Sequence, residues 1–200
     1  MKTYTEKADI EKFIQKQKAP IKLNVGCGTD YKEGWINIDN NSDHNIDRLD
    51  INWDLRNSLP LADNTVDFIF NEHFIEHLTV EESRVAITDM MRTLKPGGVM
   101  RVAMPDLASV VNDYLHVPLD KDPVIKQFNM DFIKTKAEWM NISFRWWDHK
   151  WLYDWEELER RFNELGFTTV QRCKLRESDY DELKNLEIRD GSILIAEITK

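Results

Sequence analysis

The chain holds only two cysteines, Cys27 and Cys173, far apart and in no Cys-x-x-Cys spacing. A disulfide framework is therefore not expected, and a reducing, cytoplasmic setting is the simplest reading. No run of about 18 apolar residues occurs, so no membrane span or membrane partner is expected. The segment from Met1 to Lys18 is polar and lacks the apolar core of a secretory signal. Positive charge is scarce: the net charge is −9. Nucleic-acid binders usually carry a basic face, so no nucleic-acid partner is expected. Internal repeats, low-complexity tracts and Gly/Ser linkers are all missing. The 200 residues, 42% of them hydrophobic, suit one domain over 1–200 with one core.

Two further absences narrow the ligand. Residues 21–28 read Ile-Lys-Leu-Asn-Val-Gly-Cys-Gly, an apolar run ending in Gly26 and Gly28. A dinucleotide loop would place a third glycine where Tyr31 stands and an acid about 20 residues on. Here a second apolar stretch, Trp35, Ile36 and Ile38, reaches Asp39 much sooner. No Gly-Lys-Ser/Thr follows either, which excludes a Walker loop. What is there is a glycine turn after a strand, with a carboxylate at the tip of the next strand, able to accept hydrogen bonds from a ribose diol. The pattern favours a ligand with a ribose and no pyrophosphate.

Along the chain, Ile10, Phe13 and Ile14 share one face of a helix over 7–18 that Pro20 stops. Strands are expected at 21–25, 35–38, about 48–52, 66–70, 99–104, 167–174 and 192–198. Thr79 to Glu82 reads as a capping box opening a helix with Ile87, Met90, Met91 and Leu94 inward. Asp154 with Glu157 reads as a second box, before Trp155, Leu158, Phe162 and Leu165, with Gly166 as the left-handed cap. Strands alternating with helices imply a mostly parallel sheet with right-handed crossovers.

These segments, in this order, resemble a class I S-adenosylmethionine (SAM)-dependent methyltransferase, of the small, single-domain, type 11-like kind. Asn24-Val25-Gly26-Cys27-Gly28 resembles that family's first motif and Asp39 its ribose acid. Asp54-Leu55 resembles the pair facing adenine, and Asp63 to Phe70 its fourth strand. His73-Phe74-Ile75-Glu76-His77-Leu78 resembles the segment after that strand, and Leu94 to Gly98 the turn before strand five. The resemblance implies a Rossmann-like, doubly wound α/β fold: seven strands, an antiparallel edge strand, and helices on both faces. It implies SAM as cofactor, held along Gly26, Cys27, Gly28, Asp39, Asp54, Leu55, Asn71 and His73. The activity implied is methyl transfer to a small-molecule acceptor, such as a sugar or natural-product hydroxyl or amine.

An oxygen acceptor needs a base, and His77, His149 and Asp106 are the candidates, each in or beside a loop after the sheet's C-terminal edge. His73 to His77 also spells the inverted zinc-protease signature, but it follows a strand directly instead of lying in a long helix. Some class I methyltransferases hold a divalent ion near a similar Glu-x-x-Glu-His segment. Here His73 replaces the first acid, with His149 a possible extra ligand. Methyl transfer needs no Lewis acid, so no metal is expected. A SAM-binding module without catalysis and a metal-dependent enzyme using His73, Glu76 and His77 stay open as alternatives. Between Asp106 and Trp151 the periodicity breaks down, and with Trp155 five of the seven tryptophans gather there. This insertion is expected to form a lid, with His149 and Trp151 facing the cleft and Trp155 turned into the core. Its rings form either a satellite core or an aromatic wall over the acceptor.

Overall fold

The computed structural model describes residues 2–41 and 46–200. Seven strands form one sheet in the order β3-β2-β1-β4-β5-β7-β6. They are β1 (Lys22–Val25), β2 (Ile36–Asp39), β3 (Ile51–Asn52), β4 (Val66–Glu72), β5 (Leu94–Met104), β6 (Val170–Arg172) and β7 (Leu194–Thr199). The first five pair in parallel, with Leu23 opposite Ile36 and Asn24 opposite Phe70. The expected antiparallel strand is β7, and it sits one place in from the edge, between β5 and β6. The turn foreseen before strand five is absorbed into the sheet: β5 begins at Leu94, paired with Val66, and an irregular register follows as far as Phe68.

Helices α1 (Lys7–Gln15), α2 (Val80–Thr93) and α6 (Trp155–Glu164) bury Ile10, Ile14, Ile87, Met90, Leu158 and Phe162 in one core with Leu23, Ile38, Ile69 and Val102. Thr79 caps α2 with the full reciprocal box foreseen from its sequence. At α6 the second box is only half formed. Asp154 accepts from Glu157 N, but the Glu157 carboxylate is drawn away by Arg160, Arg161 and Trp151. Gly166, at φ +87, ends that helix as expected.

The opposite face is covered differently. Trp35, Phe70, Val99, Ala103 and Ile195 pack beneath the 173–193 connection, which contributes Leu183. That connection is tied down by Arg101, fully buried, whose guanidinium meets Glu187 at 2.5 Å and Glu197 at 2.6 Å. The insertion is more regular than its sequence pattern foretells. It contains α3 (Leu107–His116), α4 (Pro123–Gln127) and α5 (Lys136–Arg145). Helices α4 and α5 and the loop between them close on a core of their own, of Ile125, Met130, Ile133, Trp139 and Ile142.

Candidate active site at the strand ends

The loop after β1 is built by hydrogen bonds, not by a helix. Gly28 N donates to Asp39 Oδ2 at 2.6 Å, and Asn40 N donates to Oδ1 at 2.6 Å. The carboxylate at the tip of β2 thus holds the glycine loop against its strand. Behind it, Asn24 Nδ2 donates to Asn37 Oδ1, Asn37 N donates to Asp50 Oδ2, and Tyr31 OH donates to Asp50 Oδ1 at 3.0 Å. The Arg48 guanidinium lies 3.7 Å from the Tyr31 ring centroid. Tyr31, where a dinucleotide loop would have glycine, is therefore a pin of the loop.

The two glycines serve different ends. Both have positive φ, +67 and +51. A Cβ on Gly26 would come within 2.5 Å of the Phe74 ring, so its bareness admits a protein side chain. A Cβ on Gly28 would meet nothing within 4 Å, so open space lies beside the loop there. Asn71, fully buried near the end of β4, has neither side-chain polar atom hydrogen-bonded among the described residues. An open approach at Gly28, an acid at the β2 tip and an unsatisfied amide on β4 fit a ribose-bearing, polar ligand such as SAM. Leu55 is buried, supplying an apolar surface. Asp54 is committed elsewhere: it accepts from Arg56 N and forms a forked pair with the Arg56 guanidinium. Cys27 is buried, and burial followed by the charge of Asp39 pushes its thiol far up, so it is no nucleophile.

Beyond β4 and β5 the strand ends open into a cleft of about 760 Å³. His73, His77, Asp106 and Asp190 line it from the sheet side, and Trp139, Trp146, Trp147 and His149 from the insertion. Another cavity of similar size, about 750 Å³, lies by Ile21 and Thr65 at the opposite, N-terminal edge of the strands, away from this chemistry. His149 reaches the cleft because Lys150 N and Trp151 N both donate to the Glu76 carbonyl, at 2.8 and 3.2 Å. Its ring packs edge-on against His77, centroids 5.0 Å apart. Burial lowers the His77 pKa, and the neighbouring His149 adds to this against the pull of Glu76, so His77 is neutral at neutral pH. Glu76 is wholly buried. Burial would raise its pKa, but the imidazoles of His73 and His77 outweigh that and hold it below the usual carboxylate range.

The candidates therefore divide. His77 and His149 come together in the cleft, and His73 joins them there instead of the cofactor loop. Asp106 borders the same cleft, but it caps α3 by accepting from Ala108 N and pairs with Arg172. Those ties make it a poor base. Trp151 does not face the cleft. Its indole donates to Glu157 Oε1, and Arg161 lies over its ring, because the bonds to Glu76 turn the chain toward α6 at that point. Trp155 packs against the main core as expected. Trp146 and Trp147 take the place foreseen for Trp151. Sequence reasoning also passed over the Glu72–Ser192–His73 chain, for which no local signal exists.

A parallel α/β sheet of this order, with a glycine turn, an acid at the β2 tip and a cleft beyond β4, defines the class I SAM-dependent methyltransferases. Residues 27–102 match a family described as "Methyltransferase domain". The fold is shared with a SAM-dependent methyltransferase from Archaeoglobus fulgidus, at 20% identity, covering 97% of this chain and 92% of that one with a TM-score of 0.53. A possible histamine N-methyltransferase from Thermotoga maritima is similar at 18% identity, covering 93% and 84%, with a TM-score of 0.52. A small RNA methyltransferase aligns at 14% identity over 97% of this chain and 24% of its own, TM-score 0.52. No curated protein matches by sequence. Residues 27–102 thus carry a methyltransferase domain, and the fold of the whole chain is the one that these SAM-dependent methyltransferases share. Among the described residues no helix is long and apolar enough to cross a membrane.

Proposed function

We propose that the protein methylates a small polar acceptor, a hydroxyl or an amine, held in the cleft beneath α3 to α5. The carrying observation is the cleft itself. It abuts the C-terminal ends of β4 and β5, where ligands bind in open α/β sheets, and its walls combine tryptophans with acids. Asp106, Asp113, Asp122, Asp148 and Asp190 line it against a single arginine, Arg189. That balance repels a phosphate backbone and favours a neutral or cationic acceptor.

SAM, when bound, supplies a methyl on an already activated sulfonium. Gly26, Cys27 and Gly28 would border it, with Asp39 at the ribose, Leu55 under the adenine and Asn71 at a polar edge. The protein's remaining work is to align the acceptor, exclude water and take its proton. His77, neutral and in the cleft, is the base, with His149 packed against it. Helices α3 to α5 act as the lid of a single domain and select the acceptor. A cytoplasmic location accords with two unpaired thiols.

The test is a screen of amines, sugars and phenolic hydroxyls for SAM-dependent methylation, followed by His77→Ala. Turnover should fall about 10²- to 10⁴-fold with an unchanged Kd for S-adenosylhomocysteine. Undiminished turnover in that variant would remove His77 from the reaction.

A further inference from the structure

Beside the methyl-transfer cleft, two imidazoles gather around a buried carboxylate. His73, Glu76 and His149 each bring one donor atom to within 4.8 Å of the others. The Glu76 carboxylate is fully buried, yet neither oxygen has a hydrogen-bond partner among the described residues. An ionised carboxylate stripped of water with no aligned donor is costly unless a positive charge offsets it.

The protons on the surrounding groups can be assigned from their partners. Glu72 accepts from Ile188 N, Arg189 N and Ser192 Oγ, and the Arg189 guanidinium lies 3.4 Å from it. The single hydroxyl proton of Ser192 is spent on Glu72, so Ser192 Oγ must accept from His73 Nε2, 3.0 Å away. On the other side of the ring, His73 Nδ1 lies 3.1 Å from Glu76 Oε1. A backbone carbonyl orients His149: its Nδ1 lies 2.7 Å from Ser143 O, which can only accept, so Nδ1 carries a proton there and Nε2 is the ring atom left for a ligand. Metal-bound imidazoles commonly donate their other N–H to a carboxylate chain or a carbonyl, as both of these do.

We infer that His73, Glu76 and His149 form a divalent transition-metal site in the wall of the acceptor cleft. Bonds of about 2.0–2.2 Å to nitrogen and oxygen separate neighbouring donors by about 3.0–3.5 Å, which the 3.1 Å contact matches. Two imidazoles with one carboxylate suit Zn²⁺, Fe²⁺ or Co²⁺ and disfavour Mg²⁺, which demands oxygens. Backbone strain marks the same place: His73 (φ 54) and Asp148 (φ 59), the residue before His149, are both left-handed. Three protein donors leave the remaining positions open to the cleft, where an oxygen or nitrogen of the acceptor can bind. The site stands against the expectation of no metal, and its link to the acceptor rests on the methyl-transfer reading.

Chelator-stripped protein is titrated with Co²⁺ and Zn²⁺, read by visible absorption and calorimetry. About one equivalent of Co²⁺ should bind with the spectrum of nitrogen and oxygen ligation. Glu76→Gln and His149→Ala should each weaken Co²⁺ binding at least about 10- to 100-fold, and Ser192→Ala should weaken it by freeing His73 to turn. His116→Ala, at an exposed histidine, should leave it unchanged. S-adenosylhomocysteine affinity in each variant reports that the fold survives. Absence of stoichiometric Co²⁺ and Zn²⁺ binding in the wild type overturns the site, as does binding that survives both Glu76→Gln and His149→Ala. Metal binding without S-adenosylhomocysteine binding would instead sink the methyl-transfer reading and keep the site.

Discussion

The two halves of the strand-end edge are built on opposite plans. On the cofactor half, the loop after β1 is fastened by Asp39, Asn37, Asp50 and Tyr31, almost all of it within one short stretch of chain. On the acceptor half, partners come from far apart: Ser192 reaches His73, and Lys150 and Trp151 dock on Glu76. The local half fastens its own loop with hydrogen bonds and leaves the Asn71 amide unsatisfied beside it. The assembled half leaves a buried carboxylate without an aligned donor. A scaffold can hold a common cofactor with local chemistry, whereas the acceptor site must be assembled from segments that vary independently.

The sharpest break in this comparison lies within the acceptor half, between its rings. Trp139 is only 6% exposed and belongs to the insertion's own core, while Trp146 is 62% exposed and stacks on Phe132 at the cleft. Trp139→Ala should cost about 3–5 kcal/mol of stability, as a large cavity in a small core does. Thermal melts should show it, and an unmoved melting temperature would mean that the insertion is not held by that core.

The unequal legibility of the two halves in sequence follows from the same contrast. Gly26, Gly28 and Asp39 announce themselves because strand, turn and acid lie close along the chain, and the Thr79 box because its partners are three residues apart. The helices of the insertion do not. Helix α3 does carry an apolar stripe, Leu107, Val110, Val111, Tyr114 and Leu115, but buries none of it, and α4 is only five residues long. Trp151 was expected in the cleft because nothing local signals the two hydrogen bonds to Glu76 that turn it away. Likewise the Asp154 box reads as complete until the arginines that claim Glu157 are seen in space.

The cofactor half offers the next test in size. Asp39→Ala removes the carboxylate that accepts from Gly28 N and Asn40 N as well as the proposed ribose acceptor. The Kd for S-adenosylhomocysteine should rise by about 1.5–3 kcal/mol, or about 10- to 150-fold, while the acceptor's KM at saturating SAM stays put. Calorimetry with an unchanged Kd would show that the β2 acid only fastens the loop.

The smallest expected effect decides what the exposed aromatics are for. Trp146→Ala removes a ring that packs on little besides Phe132, so its loss should scarcely shift the melting temperature. If the ring instead stacks on the acceptor, the acceptor's KM should rise by about 0.5–1.5 kcal/mol, or about 2- to 13-fold, with cofactor affinity intact. A lowered melting temperature with normal KM would return Trp146 to the satellite core beside Trp139. The pair of tryptophans therefore separates packing from recognition: Trp139 should act chiefly on stability and Trp146 chiefly on KM. Only that split makes the insertion a lid with an acceptor-facing wall and not simply a second core resting on the sheet.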